Sequence, residues 1–229
     1  MTATAAGWRE QILEAHSSGE SVARTYTRLA PVYELWARLT EAQPRRRVLE
    51  LAAIDPPADV LEVATGTGAQ LVRIAQANDG GRTVGVELAD GMLAQTRRRL
   101  AAAGLAERVE LHQASALELP LPDRSFDLLV NGYMLDLLPR EDIPRALSEF
   151  RRVLRPGGRL VLSNMTRGER RRHRLWDFAY ERGIVLTANC RGVLAAPVLE
   201  ELGFAGIRRE YMAQALFPTE IVTATKEDT

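Results

Sequence analysis

The stretch Asp59–Gly68, which reads DVLEVATGTG, decides the fold of this chain. Its first half is a short apolar run, typical of a strand buried in a parallel sheet. Gly66 and Gly68 follow, and residues 69–77 then carry apolar side chains at helical spacing. The stretch therefore predicts a strand, a tight glycine turn and a helix. Glycines let a ligand approach the backbone closely, and the start of a helix offers unpaired N–H groups.

The bulk composition is that of a globular protein without a charge bias. The chain has 229 residues, of which 46% are hydrophobic and 26% are charged, and its formal net charge is zero. No overall field draws such a protein to nucleic acid, so we expect no nucleic-acid partner. Cys190 is the single cysteine, which excludes an internal disulfide and a cysteine cluster for a metal. We therefore expect no metal site.

The sequence shows no targeting or membrane segment. Residues 1–7 lack a basic region followed by an apolar core, so they do not resemble a signal peptide. No apolar run approaches the roughly 18 residues that a membrane span needs. These observations predict a cytoplasmic protein without a membrane span, and they leave open whether the chain forms a homodimer.

Predicted strands and helices alternate along the chain. Strands are predicted at 60–63, 83–87, 109–112, 125–131, 159–163, 207–211 and 221–225, and helices at 44–53, 69–77, 90–104, 141–154 and 193–202. This alternation predicts an α/β fold with a doubly wound, mostly parallel sheet of seven strands, in a single domain over 1–229. Two segments are not needed for the sheet: an N-terminal helical lid over 8–54 and an arginine-rich, aromatic cap insert over 166–192.

The glycine turn fits one kind of nucleotide ligand better than another. A dinucleotide-binding turn needs a third small residue where this chain has Leu71. The other pattern is the acid-x-Gly-x-Gly-x-Gly loop of class I S-adenosylmethionine (SAM) methyltransferases. Residues 62–68 resemble that loop, with Ala64 in the place of its first glycine. Glu62 suits a ligand that carries an ammonium and a sulfonium rather than a pyrophosphate.

Three further positions lie where the predicted strands end. Glu87 ends the second strand, where an acid accepts hydrogen bonds from both ribose hydroxyls of a bound nucleotide; the alternative is a solvated strand-end acid. Ser115 and Ala116 follow the third strand, where an adenine edge would lie. Methyltransferases of this kind often have Asp there, so Ser115 leaves the adenine contact in doubt. Asn131 and Gly132 end the fourth strand and should face the transferred methyl.

Taken together, these motifs resemble the ubiquinone/menaquinone-biosynthesis (UbiE-like) type of class I SAM methyltransferase. The resemblance lies in residues 26–33, 61–69, 86–93, 119–127 and 153–158. It implies a Rossmann-like class I methyltransferase fold with strand order 3-2-1-4-5-7-6, in which strand seven is antiparallel. It also implies SAM as cofactor and a small-molecule acceptor.

The resemblance and the strand ends together predict the site residues. The expected cofactor-binding set is Glu62, Ala64, Thr65, Gly66, Gly68, Glu87, Leu88, Met92, Ser115, Ala116, Asn131 and Gly132. The expected substrate or lid residues are the aromatic side chains Tyr26, Tyr33, Tyr133 and Trp176. His173, in the cap insert, is the candidate general base, and no other catalytic residue is assigned.

The predicted function is methyl transfer from SAM to a small, rather apolar acceptor, such as a quinone-like ring, a lipid or a secondary metabolite. The same core serves many acceptors, so the sequence does not decide among them. Two alternatives stay open: a non-catalytic binding module with the SAM fold, and an S- or N-methyltransferase that acts on a thiol or an amine.

Overall fold

A computed structural model describes residues 40–169, 173, 191–214 and 217–227. Most of the predicted lid and most of the cap insert therefore lie outside the described residues. Among these are Tyr26, Tyr33 and Trp176. The described part contains the whole predicted sheet and the helix that precedes it.

Seven strands form one sheet in the order β3-β2-β1-β4-β5-β7-β6. Neighbouring strands from β3 to β5 pair in parallel, whereas β7 is antiparallel to both β5 and β6. The predicted doubly wound, mostly parallel sheet and its strand order are thus confirmed. The strands are β1 (Asp59–Val63), β2 (Arg82–Glu87), β3 (Val109–Gln113), β4 (Phe126–Gly132), β5 (Leu154–Met165), β6 (Phe204–Gln214) and β7 (Phe217–Lys226).

Successive residues of a strand point to opposite faces of the sheet, and both faces here carry apolar side chains. Helices therefore cover both faces. In β1, Val60 packs in the cluster that holds Val48 of the first helix, whereas Leu61 packs in the cluster that holds Phe150. Side chains on both sides are thereby removed from water. The helices are α1 (Ala42–Ala52), α2 (Ala69–Ala77), α3 (Asp90–Ala102), α4 (Ile143–Val153) and α5 (Ala196–Glu201).

Several boundaries differ from the sequence prediction: β6 (Phe204–Gln214) and β7 (Phe217–Lys226) are longer than predicted, and β5 and α5 begin elsewhere. Strand β5 begins at Leu154 rather than at 159, because its pairing with β4 passes through a bulge that takes up the turn at residues 155–158. Helix α5 has only six residues, Ala196–Glu201, and residues 191–195 before it have no regular secondary structure. These shifts lie away from the glycine turn.

The parallel strands all end at one edge of the sheet, where ligands of open α/β sheets bind. Val63 of β1 pairs with Val86 of β2 and with Asn131 of β4, so the ends of these strands are level. Asn131 in turn pairs with Leu162 of β5. The alignment brings the predicted site residues to a common edge.

The described part of the chain contains neither a membrane span nor a metal cluster. No helix within it is both long enough and apolar enough to span a membrane. No group of three or more of its His, Cys, Asp or Glu side chains could hold a metal ion.

Candidate functional site

A cleft opens at the carboxyl edge of the sheet, between helix α1 and the strand ends. It contains eleven of the twelve predicted cofactor-binding residues, together with Tyr133. Its described lining comprises Arg45, Val48, Glu62, Val63, Ala64, Thr65, Gly66, Gln70, Val86, Glu87, Leu88, Ala89, Met92, Ala114, Ser115, Ala116, Val130, Asn131, Gly132, Tyr133, Met134, Leu137, Leu138 and Ser163.

The glycine turn is left-handed at three of its positions. Ala64 has φ 60°, Gly66 φ 55° and Gly68 φ 77°. A Cβ atom built on Gly66 would meet no atom within 4 Å, so this residue borders open space in the cleft. The turn therefore exposes backbone at the point where helix α2 begins.

Gly68 lies close to Thr96 of helix α3. It is the only predicted cofactor-binding residue that does not line the cleft. A Cβ atom there would lie 2.9 Å from Thr96 Cγ2 and 3.0 Å from Thr96 Cα. Gly68 thus allows α2 to pack closely against α3. The role of Thr96 was missed: its hydroxyl donates to the Gly66 carbonyl at 2.9 Å and so supports the turn from behind.

Glu87 is held at the end of β2 by two backbone donors. Its Oε2 accepts from the N–H of Gly66 at 2.8 Å, and its Oε1 accepts from the N–H of Ala89 at 2.9 Å. Burial raises the pKa of Glu87, and hydrogen bonds from the backbone N–H groups of Ala89, Gly66 and Leu88 oppose that shift. The alternative of a solvated strand-end acid is excluded, because Glu87 is only 7% exposed.

Glu62 presents an unsatisfied carboxylate oxygen to the cleft. The side chain is 4% exposed, and Oε2 has no hydrogen-bond partner among the described residues. Burial raises the pKa of Glu62 well above its ordinary value; the positive charge of Arg45 lowers it and the neighbouring Glu87 raises it further. A buried acceptor of this kind favours a ligand that brings a donor, and a cation above all.

The end of β4 supplies a second unsatisfied acceptor. The Asn131 side chain donates through Nδ2 to the Val63 carbonyl at 2.9 Å, while its Oδ1 has no partner among the described residues. On the far side of the cleft, the Ser115 hydroxyl accepts from the N–H of Leu117 at 3.2 Å. Leu88 is 45% exposed at the rim.

Tyr133 forms a fixed wall beside Asn131. It has φ 53°, a strained value for a bulky residue, and its hydroxyl lies 2.9 Å from Thr219 Oγ1. Its ring packs against Phe217 with centroids 5.7 Å apart. Burial raises the pKa of Tyr133 well above its ordinary value, so the phenol stays protonated at neutral pH. Strained backbone of this kind is typical of functional sites.

Helix α1 contributes lining residues that were not predicted individually. Arg45 and Val48 line the cleft. Arg45 donates from Nη2 and Nε to Glu41 Oε2 at 2.6 and 3.0 Å. A sequence signal existed, because the two residues stand one helical turn apart. It did not indicate on which face of the helix they would lie.

His173 lies apart from the described lining of the cleft. It is 2% exposed, and its Nδ1 lies 2.6 Å from the hydroxyl oxygen of Tyr211 on β6. Its imidazole therefore has a protein partner within the fold, and the proposal that it acts as a base gains no support from its position.

The chemistry of the cleft is that of a site for a cationic, largely apolar ligand. Buried acceptors stand on Glu62, Glu87 and Asn131, and the remaining described lining is mainly aliphatic. Two acids in a buried cleft favour a ligand with positive charge, because an isolated buried carboxylate is costly.

Comparison with protein families supports this chemistry. Residues 60–158 match the family described as "Methyltransferase domain". The match includes the glycine turn, Glu87, Asn131 and Tyr133. It extends over the strands from β1 to β4 and ends within β5.

Two curated relatives carry a specific activity in their names. The demethylmenaquinone methyltransferase of Thermus thermophilus is 38% identical over 141 residues, which are 60% of this chain and 62% of that protein. The demethylmenaquinone methyltransferase of Symbiobacterium thermophilum is 36% identical over 149 residues, covering 65% of this chain and 55% of that protein. The chain thus spans less than two thirds of the length of these relatives.

Solved structures show the same fold at lower identity. The [4+2]-cyclase SpnF superposes with a TM-score of 0.73 at 20% identity, and the match covers 94% of this chain and 99% of that one. The apo form of the S-adenosylmethionine-dependent methyltransferase SibL superposes with a TM-score of 0.65 at 21% identity, covering 86% and 57%. Since one of these proteins is named a cyclase, the fold alone does not define the reaction.

Proposed function

We propose that this chain transfers a methyl group from SAM to a small, rather apolar acceptor, because residues 60–158 match a methyltransferase domain and two relatives are named demethylmenaquinone methyltransferases. The observation that carries the proposal is the unsatisfied, buried Glu62 carboxylate beside the exposed glycine turn. The acceptor class is a quinone-like ring, a lipid or a secondary metabolite.

The residues of the cleft fit SAM as cofactor. Its methionine end carries an ammonium group, which can donate to Glu62 Oε2, the oxygen that has no partner among the described residues. Its ribose hydroxyls can donate to Glu87, since each carboxylate oxygen can accept a second hydrogen bond. The open space above Gly66 admits a ligand that a side chain would exclude. Ser115 and Ala116, which also line the cleft, would flank the adenine.

The cofactor supplies an electrophilic methyl group on a sulfonium. When bound, it would give this methyl to the acceptor, with the carbon–sulfur bond breaking and its electron pair staying on the sulfur. The protein need only hold the acceptor within about 3–3.5 Å of the methyl carbon and exclude water. A protonated oxygen or carbon acceptor also loses a proton, whereas a thiolate does not.

The acceptor end of the cleft is apolar. Tyr133, Met134, Leu137 and Leu138 line the side that extends from Asn131. Tyr133 is fixed by Thr219 and carries a protonated phenol. Such a wall suits a flat or hydrocarbon acceptor, in accordance with the quinone-related names of the two relatives.

We further propose that the single domain is completed by a lid over 8–54 and a cap over 166–192. The described ends of the cap support this arrangement. The N–H of Val193 donates to the carbonyl of Met165 at 2.9 Å, so the insert leaves and rejoins the sheet at one point. That point is at the end of β5, two residues after Ser163 of the cleft.

The test is a pair of binding isotherms followed by an acceptor screen. We expect titration calorimetry to detect binding of S-adenosylhomocysteine and not of NAD. SAM with a labelled methyl group should then label an acceptor of the quinone, lipid or secondary-metabolite classes. Binding of S-adenosylhomocysteine without transfer to any acceptor would favour a non-catalytic module, and labelling only of thiols or amines would favour the S- or N-methyltransferase.

A further inference from the structure

Arg45 is the only cationic side chain among the described residues that line the cleft. The charged lining otherwise consists of two acids, Glu62 and Glu87. Arg45 belongs to helix α1, outside the residues that match the methyltransferase family. It therefore belongs to the part of the chain for which the family match assigns no function.

The position of Arg45 is fixed at both its side chain and its backbone. Glu41, which is 1% exposed, accepts from Nε and Nη2 of Arg45 and so orients the planar guanidinium along one edge. The backbone carbonyl of Arg45 accepts from the Gln70 side chain of helix α2 at 3.3 Å. Arg45 lines the same cleft as Glu62 and Tyr133, and its charge lowers the pKa of both groups.

We propose that Arg45 binds the α-carboxylate of the cofactor's methionine end and selects ligands that carry it. This inference rests on the proposed function. It adds a specificity-determining residue from helix α1 to a cofactor site otherwise built on strand ends and the glycine turn.

Charge complementarity supports the assignment. The methionine end carries an ammonium and a carboxylate on the same α-carbon, so a site for it needs an anion and a cation close together. Glu62 and Arg45 are such a pair, because both line the cleft and the charge of Arg45 lowers the pKa of Glu62. A carboxylate placed near Glu62 or Glu87 without Arg45 would be repelled and poorly solvated. Arginine also matches a carboxylate in a fork geometry that lysine cannot reproduce.

The test compares two ligands that differ only in the carboxylate. S-adenosylhomocysteine has it, and S-adenosyl-3-thiopropylamine, the decarboxylated form, keeps the nucleoside, thioether and ammonium. We expect the wild type to bind the first more tightly by about tenfold to hundredfold, the range for a hydrogen bond to a charged group. Arg45→Met should weaken S-adenosylhomocysteine by that factor and leave the amine almost unchanged.

Two further variants separate recognition from folding. Arg45→Met alone leaves the buried Glu41 without the cation that Arg45 provides, so Glu41→Gln/Arg45→Met is compared with it. Arg46→Met is the matched control, because Arg46 lies on the same helix with its side chain 76% exposed and an ion pair to Glu50. We expect the double variant to lose discrimination and the Arg46 variant to keep it.

The outcomes distinguish the inference from the function on which it rests. If the wild type binds neither ligand, the proposed function fails. If it binds S-adenosylhomocysteine and both Arg45 variants still discriminate as the wild type does, Arg45 does not bind the carboxylate. A raised Michaelis constant for an acidic acceptor, with S-adenosylhomocysteine affinity unchanged, would assign Arg45 to the acceptor and also overturn the inference.

Discussion

Glu87 Oε2 accepts a hydrogen bond from the backbone N–H of Gly66, at 2.8 Å, across the gap between the end of β2 and the glycine turn. One carboxylate thus positions the turn and, in the proposed function, also binds the ribose. Removing it should therefore affect both the ligand and the loop.

Glu87→Ala should weaken binding of S-adenosylhomocysteine by about 1.5–3 kcal/mol, because hydrogen bonds to a charged group are lost. The fold should survive, since Glu87 is at a strand end. Titration calorimetry measures the effect, and circular dichroism checks the fold. Glu110→Ala on the neighbouring strand is the control, because the side chain of Glu110 is 45% exposed. Equal affinity in folded wild type and Glu87→Ala would remove Glu87 from the site.

Gly66→Ala should prevent cofactor binding while Gly104→Ala should not. The two glycines are matched, with φ 55° and 70° and no atom within 4 Å of an added Cβ in either place. Each substitution should cost roughly 1–2 kcal/mol of folding free energy, since both place an L-residue in the left-handed region. Only Gly66 borders the cleft. Thermal melts and S-adenosylhomocysteine isotherms of both variants test this, and parallel losses of affinity would contradict the ligand position.

The sheet could be predicted from the sequence because its strands are short apolar runs bounded by clear turns. Pairing order came from the family resemblance, since no periodicity in the chain specifies which strands are neighbours. The start of β5 was not predicted, because Pro156, Gly157 and Gly158 form a bulge within the strand instead of a turn before it. Bulges depend on the partner strand, which local sequence does not contain.

The site residues at the strand ends were predictable, because the strands themselves could be recognised in the sequence. Contacts between side chains of different elements were not predictable. Gly68 matches the motif, yet Thr96, a residue 28 positions further along the chain, occupies the position that a Cβ atom on Gly68 would need. Arg45 reaches the cleft because helix α1 packs against side chains of β1, β4 and β5. Packing of this kind is a property of the tertiary structure and leaves no local pattern.

His173→Asn should change stability more than catalysis. The imidazole is buried and lies against Tyr211, so its loss should destabilise the fold. A general base contributes typically 10²–10⁴-fold to a rate, whereas we expect less than a tenfold change in kcat here. Initial rates across pH, alongside thermal melts, measure both effects. A large fall in kcat with loss of the acidic limb of the pH profile would restore His173 as the base.

Glu62 should make both stability and ligand affinity depend on pH. Burial raises its pKa in the folded protein above the ordinary 4.5, so the folded state binds a proton that the unfolded state has released. The contribution of Glu62 to stability is then greatest below pH 4.5 and falls as the pH rises towards the folded pKa. Ligand affinity should move the opposite way, because an ammonium group is bound better by the ionised carboxylate.

Isotherms of S-adenosylhomocysteine at a series of pH values above 4.5, the ordinary pKa of a glutamate, test this prediction. We expect affinity to rise with pH in the wild type and to be weaker and flatter in Glu62→Gln, whose side chain cannot ionise. Some slope should remain in the variant, because burial also raises the pKa of Glu87. Since Glu62→Gln keeps the size of the side chain and removes the buried charge, its melting temperature should match or exceed that of the wild type near neutral pH. Identical pH profiles for the two proteins would show that Glu62 does not face the bound ammonium.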